Sequence, residues 1–571
     1  MIAKMTKYSF VLPTGAKEEF LEELSAFGLV DISRSSKPVD DNSEQIMSEI
    51  DSTRQRLKEL RSGEDQTLKD MRANLSSLEQ ARLDVLPWGD FDKERLEGFN
   101  PHFFSVQEKK FDPALEGRYP LCKVGTENGI VRFVILGDDL PADLKELPAP
   151  GHTVREYDDM IARSKGEIKD YEQALHKEAG SIPELEAKEK SLNDRLNLYL
   201  ASLTSEEAAE GAISVYEGFA PTDKDEELSG KLDTLQGVYW MKEKATVGDR
   251  PPIELHNNRF VKMFEPITDM YGRPGYDGFD PTPFISIFFL LFFAMCMGDA
   301  AYGIILVIAG LLLRKVKSFA SLAPLVVTLG LGTVVVGFFF HTFFSVDISG
   351  WFPESVQKIM VPQKVAGYDG TMVLSIIVGI IHICLAMVVK TICATRSKGF
   401  LNSLGIWGWT LLIVGGVTVG ATALAGVIDA AATKIIIIII GVVSALGIFL
   451  LNNLHRNPLL NIGAGLWETY NTATGLLGDV LSYLRLYALG LAGSMLGFAF
   501  NDLAKMMLGD GGFGWIPFIL IEVVGHTLNI AMAALGAFVH PLRLNFLEFF
   551  KNSGYEGSGK KYNPLKNQSI Q

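Results

Sequence analysis

The chain has 571 residues, room for about four domains at roughly 150 residues each, and overall figures of 48% hydrophobic and 21% charged residues conceal two unlike halves. Residues 282–571 hold 17 of the 53 Lys+Arg and 12 of the 67 Asp+Glu, so an acidic half near −19 precedes an apolar half near +5. That acidity leaves no basic stripe for nucleic acid, the apolar content excludes general disorder, and the pattern reads as a soluble domain (1–281) joined to a membrane domain (282–571).

Lys7–Pro13 alternate apolar and polar, as a half-buried strand does. Residues 15–27 read as an amphipathic helix and 29–32 as a strand. Further strand-like pieces recur at 102–107, 119–124, 129–136, 213–219 and 237–241. Small α/β lobes are therefore expected at about 1–35 with 210–265, and at about 85–150. Between them two helical arms are predicted, at about 40–84 and 153–203. Ile46, Ile50, Thr53, Leu57 and Leu60 step by four and three, and after one shift the stripe resumes at Leu68, Met71, Leu75 and Leu78. Such a stripe is a coiled-coil seam. The second arm repeats it with Ile161, Ile168, Tyr171, Leu175, Leu185, Leu192 and Leu196, and Pro183 must break or restart the helix. The expected fold is an α+β dumbbell of two lobes joined by antiparallel arms, although a homodimeric coiled coil also fits these residues. The opening MIAKMTKYSF has no apolar run after its lysines, so no cleaved signal is expected and the first half is assigned to the cytoplasm. Cys122, Cys296, Cys384 and Cys393 have neither disulfide-framework nor zinc-ligand spacing, and are expected as small buried side chains.

Apolar runs follow at 284–313, 321–344, 371–390, 402–427, 434–451, about 475–505 and about 516–550; spanning takes roughly 20 residues. The first run precedes Arg314, Lys315 and Lys317, and as a single span would place them outside, against the positive-inside tendency. A tight hairpin turning at Gly298–Asp299 resolves this. Lys390, Arg396, Lys398, His455, Arg456 and the basic tail then all fall inside. An all-α membrane domain of about eight helices results, the last two long, with both termini cytoplasmic.

Arg485 and Arg543 lie inside apolar sequence, where a helix-centre arginine costs about 2.5–3.5 kcal/mol on insertion scales and stays charged. Arg543 is near enough to a helix end to snorkel; Arg485 is not. Stepping back from Arg543 by three and four meets His540, Asn529, His526 and Glu522; from Arg485 it meets Ser482, Asn471 and Glu468. With Asp479 these are the half-channel candidates, because a polar face the height of a bilayer lines an aqueous path. Gly490, Gly493, Ser494 and Gly497 allow another helix to approach. A fixed guanidinium lowers the pKa of a carboxyl brought within about 4–6 Å by roughly 1–3 units. It cannot carry the proton itself, so a mobile carboxylate on another subunit is required. The segment 554–560 nearly matches a phosphate loop, but Lys561 stands where Ser/Thr should be and no strand precedes it; it is set aside.

SYLRLYALGLA (482–492) and HPLRLNFLEFF (540–550) resemble the two arginine motifs of the a subunit (subunit I) of V-type rotary ATPases. The segment 267–303, with its DPTPF element and MGDAAYG turn, resembles that family's entry to the membrane, Ala301 standing for the usual glycine. GIIHI (379–383) and SVYEGFAP (214–221) fit as well. Eukaryotic members commonly carry Glu ten residues before the second arginine; here it is Ala533, so that role does not carry over. The chain is short and lacks eukaryote-style insertions, which suggests a prokaryotic version. The resemblance implies a non-catalytic stator without a cofactor of its own. Arg485 and Arg543 would face a rotor ring of small membrane subunits (c/K type) bearing a carboxylate. The cytoplasmic domain would anchor peripheral-stalk subunits (E/G type) and approach a central-stalk socket subunit. The competing readings are a free-standing ion-coupled transporter, for which no internal repeat is evident, and a membrane-anchored scaffold.

Overall fold

The computed structural model describes all residues except 33, 35–38, 90–97, 128, 142–143, 145, 150, 209–210, 317–318, 366, 452–457, 508–513 and 567–571. Lys317, His455 and Arg456, used above for topology, therefore lie outside the described residues. The fold is mostly helical, with several apolar helices and small sheets. Contacts divide the chain into two compact units. One comprises Met1–Val11, Leu29–Asp31 and Glu217–Pro564; the other comprises Leu12–Gly28, Ile32–Tyr216 and Leu565–Gln571.

The chain opens with β1 (Met5–Pro13) and α1 (Lys17–Phe27), which Gly28 ends in the left-handed region. The short β2 (Asp31–Ile32) leads to α2 (Asp41–Ser62) and α3 (Gln66–Val85). The shift in the apolar stripe is a real break: Gly63 takes φ +65, and the Asp65 carboxylate caps the next helix through Leu68 N at 2.9 Å. A small antiparallel sheet follows from β3 (Pro101–Gln107), β4 (Leu121–Glu127), β5 (Ile130–Leu136) and β6 (Glu146–Leu147), in the order β4-β5-β3-β6. Phe104 and Phe133 stand opposite each other across β3 and β5 and stack in its core. Cys122 corrects its expectation: it is exposed, because it sits on edge strand β4, most of which faces outward, while Cys296 is buried.

The chain returns through α4 (Val154–Glu178) and, after a 3-10 turn, α5 (Ile182–Ser202), with Pro183 in its first turn. There its missing N–H costs nothing. Helix α2 packs on α5 and α3 on α4. The ion pairs give the direction: Arg54–Glu189, Arg61–Glu186, Arg72–Glu172, Glu79–Lys165 and Arg82–Asp158 ascend on one arm as they descend on the other. The arms are antiparallel. Each exposed pair contributes at most about 1 kcal/mol. The holding force is the seam they flank, where Leu60, Leu68, Ile168 and Leu175 bury together, as do Ile46, Ile50 and Leu192.

In that same unit β7 (Glu206–Ala208) pairs with the start of β8 (Ile213–Pro221). In the other unit α6 (Asp225–Leu232) precedes β9 (Tyr239–Lys244), which runs antiparallel to β1 from Thr6↔Lys244 to Val11↔Tyr239. Tyr8, fully buried on β1, donates to Asp225 at 2.8 Å. The short α7 (Glu265–Tyr271) leads into the apolar helices.

These begin with α8 (Thr282–Met297) and α9 (Ala300–Leu313), joined at Gly298–Asp299. Gly298 has φ +60 and Asp299 caps α9, so the first apolar run is a helical hairpin. Helix α10 (Ala323–Phe339) packs on both. These three are shorter than 18 residues; among the described residues five further helices are long and apolar enough to cross a membrane. They are α11 (Gly370–Lys398), α12 (Leu404–Leu424), α13 (Ala430–Phe449), α14 (Pro458–Met507) and α15 (Trp515–Arg543). Helix α14, at 50 residues, far exceeds its apolar stretch. One apolar core, with Phe289, Phe292, Tyr302, Ile383, Leu486 and Phe549, ties α8, α9, α11 and α14 to the end of the chain.

Candidate functional site

The Gly298–Asp299 turn is the first anchor. Asp299 is only 3% exposed. Its carboxylate accepts from four backbone N–H groups: Ala301 at 2.8 Å, Tyr302 at 3.3 Å, Phe344 at 3.0 Å and Ser345 at 2.6 Å. It thus caps α9 and pins the loop after α10 to the same spot. A buried carboxylate persists where its lone pairs are met in this way.

Tyr302, one turn into α9, reaches across to the last two long helices. Its hydroxyl lies 2.7 Å from His526 Nδ1 and accepts from Asn529 Nδ2 at 2.9 Å. His526 Nε2 lies 3.0 Å from Asn501 Oδ1 and 2.9 Å from Glu522 Oε2. Asn501 donates to Phe344 O at 2.8 Å, and Asn529 also donates to Gly493 O at 2.9 Å. Both ring nitrogens of His526 are therefore engaged, Nδ1 by the Tyr302 hydroxyl and Nε2 by Asn501 Oδ1 and Glu522. The candidates Glu522, His526 and Asn529 are thus joined in one chain. Tyr302, Asn501 and Asp299 were missed as members. Asn501 had a signal: steps of four forward from Arg485 pass Leu489, Gly493 and Gly497 and reach it. Gly490 and Gly497 serve close approach, since a Cβ on Gly490 would lie 2.9 Å from Met295 O and one on Gly497 3.0 Å from Asn529 Nδ2.

A second polar cluster joins the middle of α14 to the helical turns that follow α15. Asp479 pairs with Lys551 at 3.2 Å and accepts from Asn552 at 2.8 Å. Asn552 also donates to Glu548 O at 2.7 Å, and Ser482 donates to Gly478 O at 3.0 Å. Glu548 itself is 4% exposed, and among the described residues its Oε2 has no hydrogen-bond partner. It lies forward of Arg543, on the side the backward steps did not take, and forward steps of three or four would also pass it by, because Leu544–Phe549 is π-helical, just beyond Pro541. A wider turn breaks the 3.6-residue period, and such turns recur at functional sites.

Arg485 lies between the clusters, half-buried on α14, with Tyr483 and Leu486 fully buried beside it. Among the described residues its buried Nη1 has no hydrogen-bond partner and Arg485 forms no ion pair. Arg543 is exposed, and His540, one turn before it, is half-buried. On the Asp299 side of Arg485 a crevice of about 100 Å³ is lined by Gly298, Thr342, Thr371, Tyr487 and Ser494. Glu468 is half-buried and Asn471 exposed; α14 extends far enough to carry both, which its sequence left open. His382 of GIIHI is sandwiched between Phe288 and Phe549, with Nδ1 3.0 Å from Tyr483 Oη. It therefore fixes α11 against α14 rather than joining either cluster.

Residues 145–322 match the V-type ATPase 116kDa subunit family. The chain is 28% identical to the A-type ATP synthase subunit I of Methanocaldococcus jannaschii, over 93% of this chain and 82% of that protein. It is 26% identical to a V-type ATP synthase subunit I of Treponema pallidum, over 84% of this chain and 81% of that one. With the A-type ATP synthase subunit I of Pyrococcus horikoshii it shares 30% identity over 56% of this chain and 48% of the relative. Five membrane-length helices and this similarity make it an integral membrane protein, and along most of its length the chain resembles subunit I of the prokaryotic A-type and V-type ATP synthases.

Proposed function

We propose that the chain is the membrane-embedded stator subunit of a rotary ATPase or ATP synthase in a prokaryotic cell membrane, forming the ion path against a rotor ring. It is not catalytic on its own; ATP turnover belongs to partner subunits. Residues 1–281 form the cytoplasmic domain, a dumbbell whose lobes hold the peripheral stalks and resist torque. Residues 282–571 form the ion-translocation domain, with eight crossings once the three short helices are counted. Helix α14, at 50 residues and 1.5 Å per residue, is about 75 Å long against a hydrocarbon core of about 30 Å. It therefore tilts strongly or leaves the membrane at its ends.

The observation that carries the reading is a buried guanidinium nitrogen without a partner, set between two polar clusters. Leaving such a group unpaired is costly, which is reason to expect a partner supplied from outside the chain. In the proposed cycle a rotor carboxyl arrives neutral through lipid, loses its proton near Arg485 and is re-protonated from the other side. The Tyr302–His526–Glu522 chain and the crevice beside Tyr487 serve the outer half-path. Ser482, Asp479 and Glu548 serve the inner one. Arg485 keeps the halves from joining, because it repels a cation and cannot pass a proton on.

Purification of the full chain from its own membranes in mild detergent tests this. Small hairpin-like rotor subunits should accompany it. A chain that purifies alone and still carries ions after reconstitution would overturn the stator reading in favour of a free-standing transporter.

A further inference from the structure

The glycine-rich segment after the last helix, set aside above as a phosphate loop, folds back on the residues that lead into the membrane. Gly554, at φ +69, ends the helix. Tyr555 then donates to Gly272 O at 2.7 Å and packs its ring on Phe550 and Phe279. Gly559 N donates to Arg273 O at 2.9 Å, Ile253 N to Lys560 O at 2.7 Å, and Tyr562 N to Ile253 O at 3.0 Å. Asn563 N reaches the Asp31 carboxylate at 2.9 Å.

The glycines are required for this contact. A Cβ on Gly272 would lie 2.5 Å from Gly557 O, one on Gly557 3.0 Å from Tyr271 O, and one on Gly559 would collide with Pro274 O. An internal brace holds the receiving surface. Asp269 binds Arg273 at 2.7 Å and Lys561 of the tail at 2.8 Å, while Arg273, 7% exposed, donates to Ile253 O at 3.0 Å. Residues 555–566 have no helix and no strand longer than an isolated bridge, so these bonds supply their order.

We propose that residues 554–563 are a tie fixing the axial position of α15 relative to the segment 253–275, and that its members are positioning residues for Arg543 and Glu548. Apolar helix faces in lipid hold axial register weakly, and a slip of one turn would carry Arg543 by about 5.4 Å. The Tyr302–His526–Asn501 bonds pin α15 at one end; the tail pins it at the other, a few residues beyond Glu548. The inference rests on the stator reading, since a stator helix bears sideways force on every passage of the rotor.

The test uses the assembled complex in membrane vesicles, with Gly559→Val and the milder pair Tyr555→Phe with Lys561→Ala. Amide hydrogen exchange at Ile253, Gly559, Tyr562 and Asn563, the N–H donors of the tie, reads whether it is formed, and ions taken up per ATP hydrolysed reads its consequence. Exchange should rise by about tenfold or more, with uptake per ATP falling severalfold while hydrolysis persists. If Gly559→Val prevents assembly, the milder pair decides. Raised exchange with unchanged uptake per ATP would overturn the tie as a positioning element, and exchange already fast in the unsubstituted protein would show that it does not form. Uptake that survives Arg485→Gln would instead overturn the stator reading, whatever the tail variants do.

Discussion

The hydroxyl of Tyr302 lies 2.7 Å from Nδ1 of His526, a bond that links the helix after the Gly298–Asp299 turn to the last long helix, 224 residues later. Tyr302→Phe removes this bond and leaves Asn529 with one fewer acceptor. The loss should be about 0.5–1.5 kcal/mol of stability together with slower ion uptake. Thermal melting of the purified protein and uptake in vesicles check it; an unchanged rate would remove Tyr302 from the path.

Asp299 meets four backbone N–H groups from two segments. Asp299→Asn keeps the shape, loses the charge and turns one acceptor into a donor facing donors. A cost of about 1–3 kcal/mol or more is expected. The observable is a lower yield of folded protein in membranes, and a normal yield would contradict the capping account.

Glu548 and Glu522 lie on opposite sides of Arg485 along the proposed path. Glu548→Gln and Glu522→Gln should each slow uptake without uncoupling it from ATP hydrolysis, because each removes a titratable relay and leaves the arginine in place. The check is the uptake rate of each variant, measured across pH beside the unsubstituted protein. Turnover unchanged across the whole range would count against the residue concerned.

Outside the spans, Asp269 provides a pH signature. Burial pushes its carboxyl up, but hydrogen bonds and charge from Arg273 and Lys561 outweigh this and hold it below its ordinary 3.8. A carboxyl depressed on folding contributes stability that is full above its unfolded value and is lost as pH falls through the folded one. Exchange protection of the tail should therefore be level from neutral pH to about 4 and fall below it. Asp269→Asn should lower protection at neutral pH and flatten the fall; an identical profile would contradict the brace.

The seam of the arms gives a stability prediction. Leu68 is fully buried beside Ile168 and Leu175, so Leu68→Ala should cost about 2–5 kcal/mol. Faster limited proteolysis between residues 41 and 202 would report it.

Much of this was legible because it is local. The Gly298–Asp299 hairpin follows from a basic cluster on the wrong side of one long run. The seam Ile46, Ile50, Leu57, Leu60 is visible as spacing, and even the break at Gly63 shows as a shift in the stripe. The two arginines stand out because charge in an apolar run is expensive. Residues joined only by tertiary contact were not legible: nothing near Tyr302 points to His526. Glu548 lay in plain view in LNFLEFF, but its π-helical turn carried it off the 3.6-residue face. The length of α14 was masked by Glu468 and Asp479, which interrupt hydropathy without interrupting the helix. The use of 554–563 was hidden because its glycines answer to a backbone more than 280 residues earlier.

The most direct measurement is ATP-driven ion uptake by vesicles holding the assembled complex, with and without Arg485→Gln. The account predicts that assembly and ATP hydrolysis sites survive while uptake disappears, because the rotor carboxyl no longer meets a fixed positive charge. Uptake that persists with Gln at this position would contradict the central role given to Arg485.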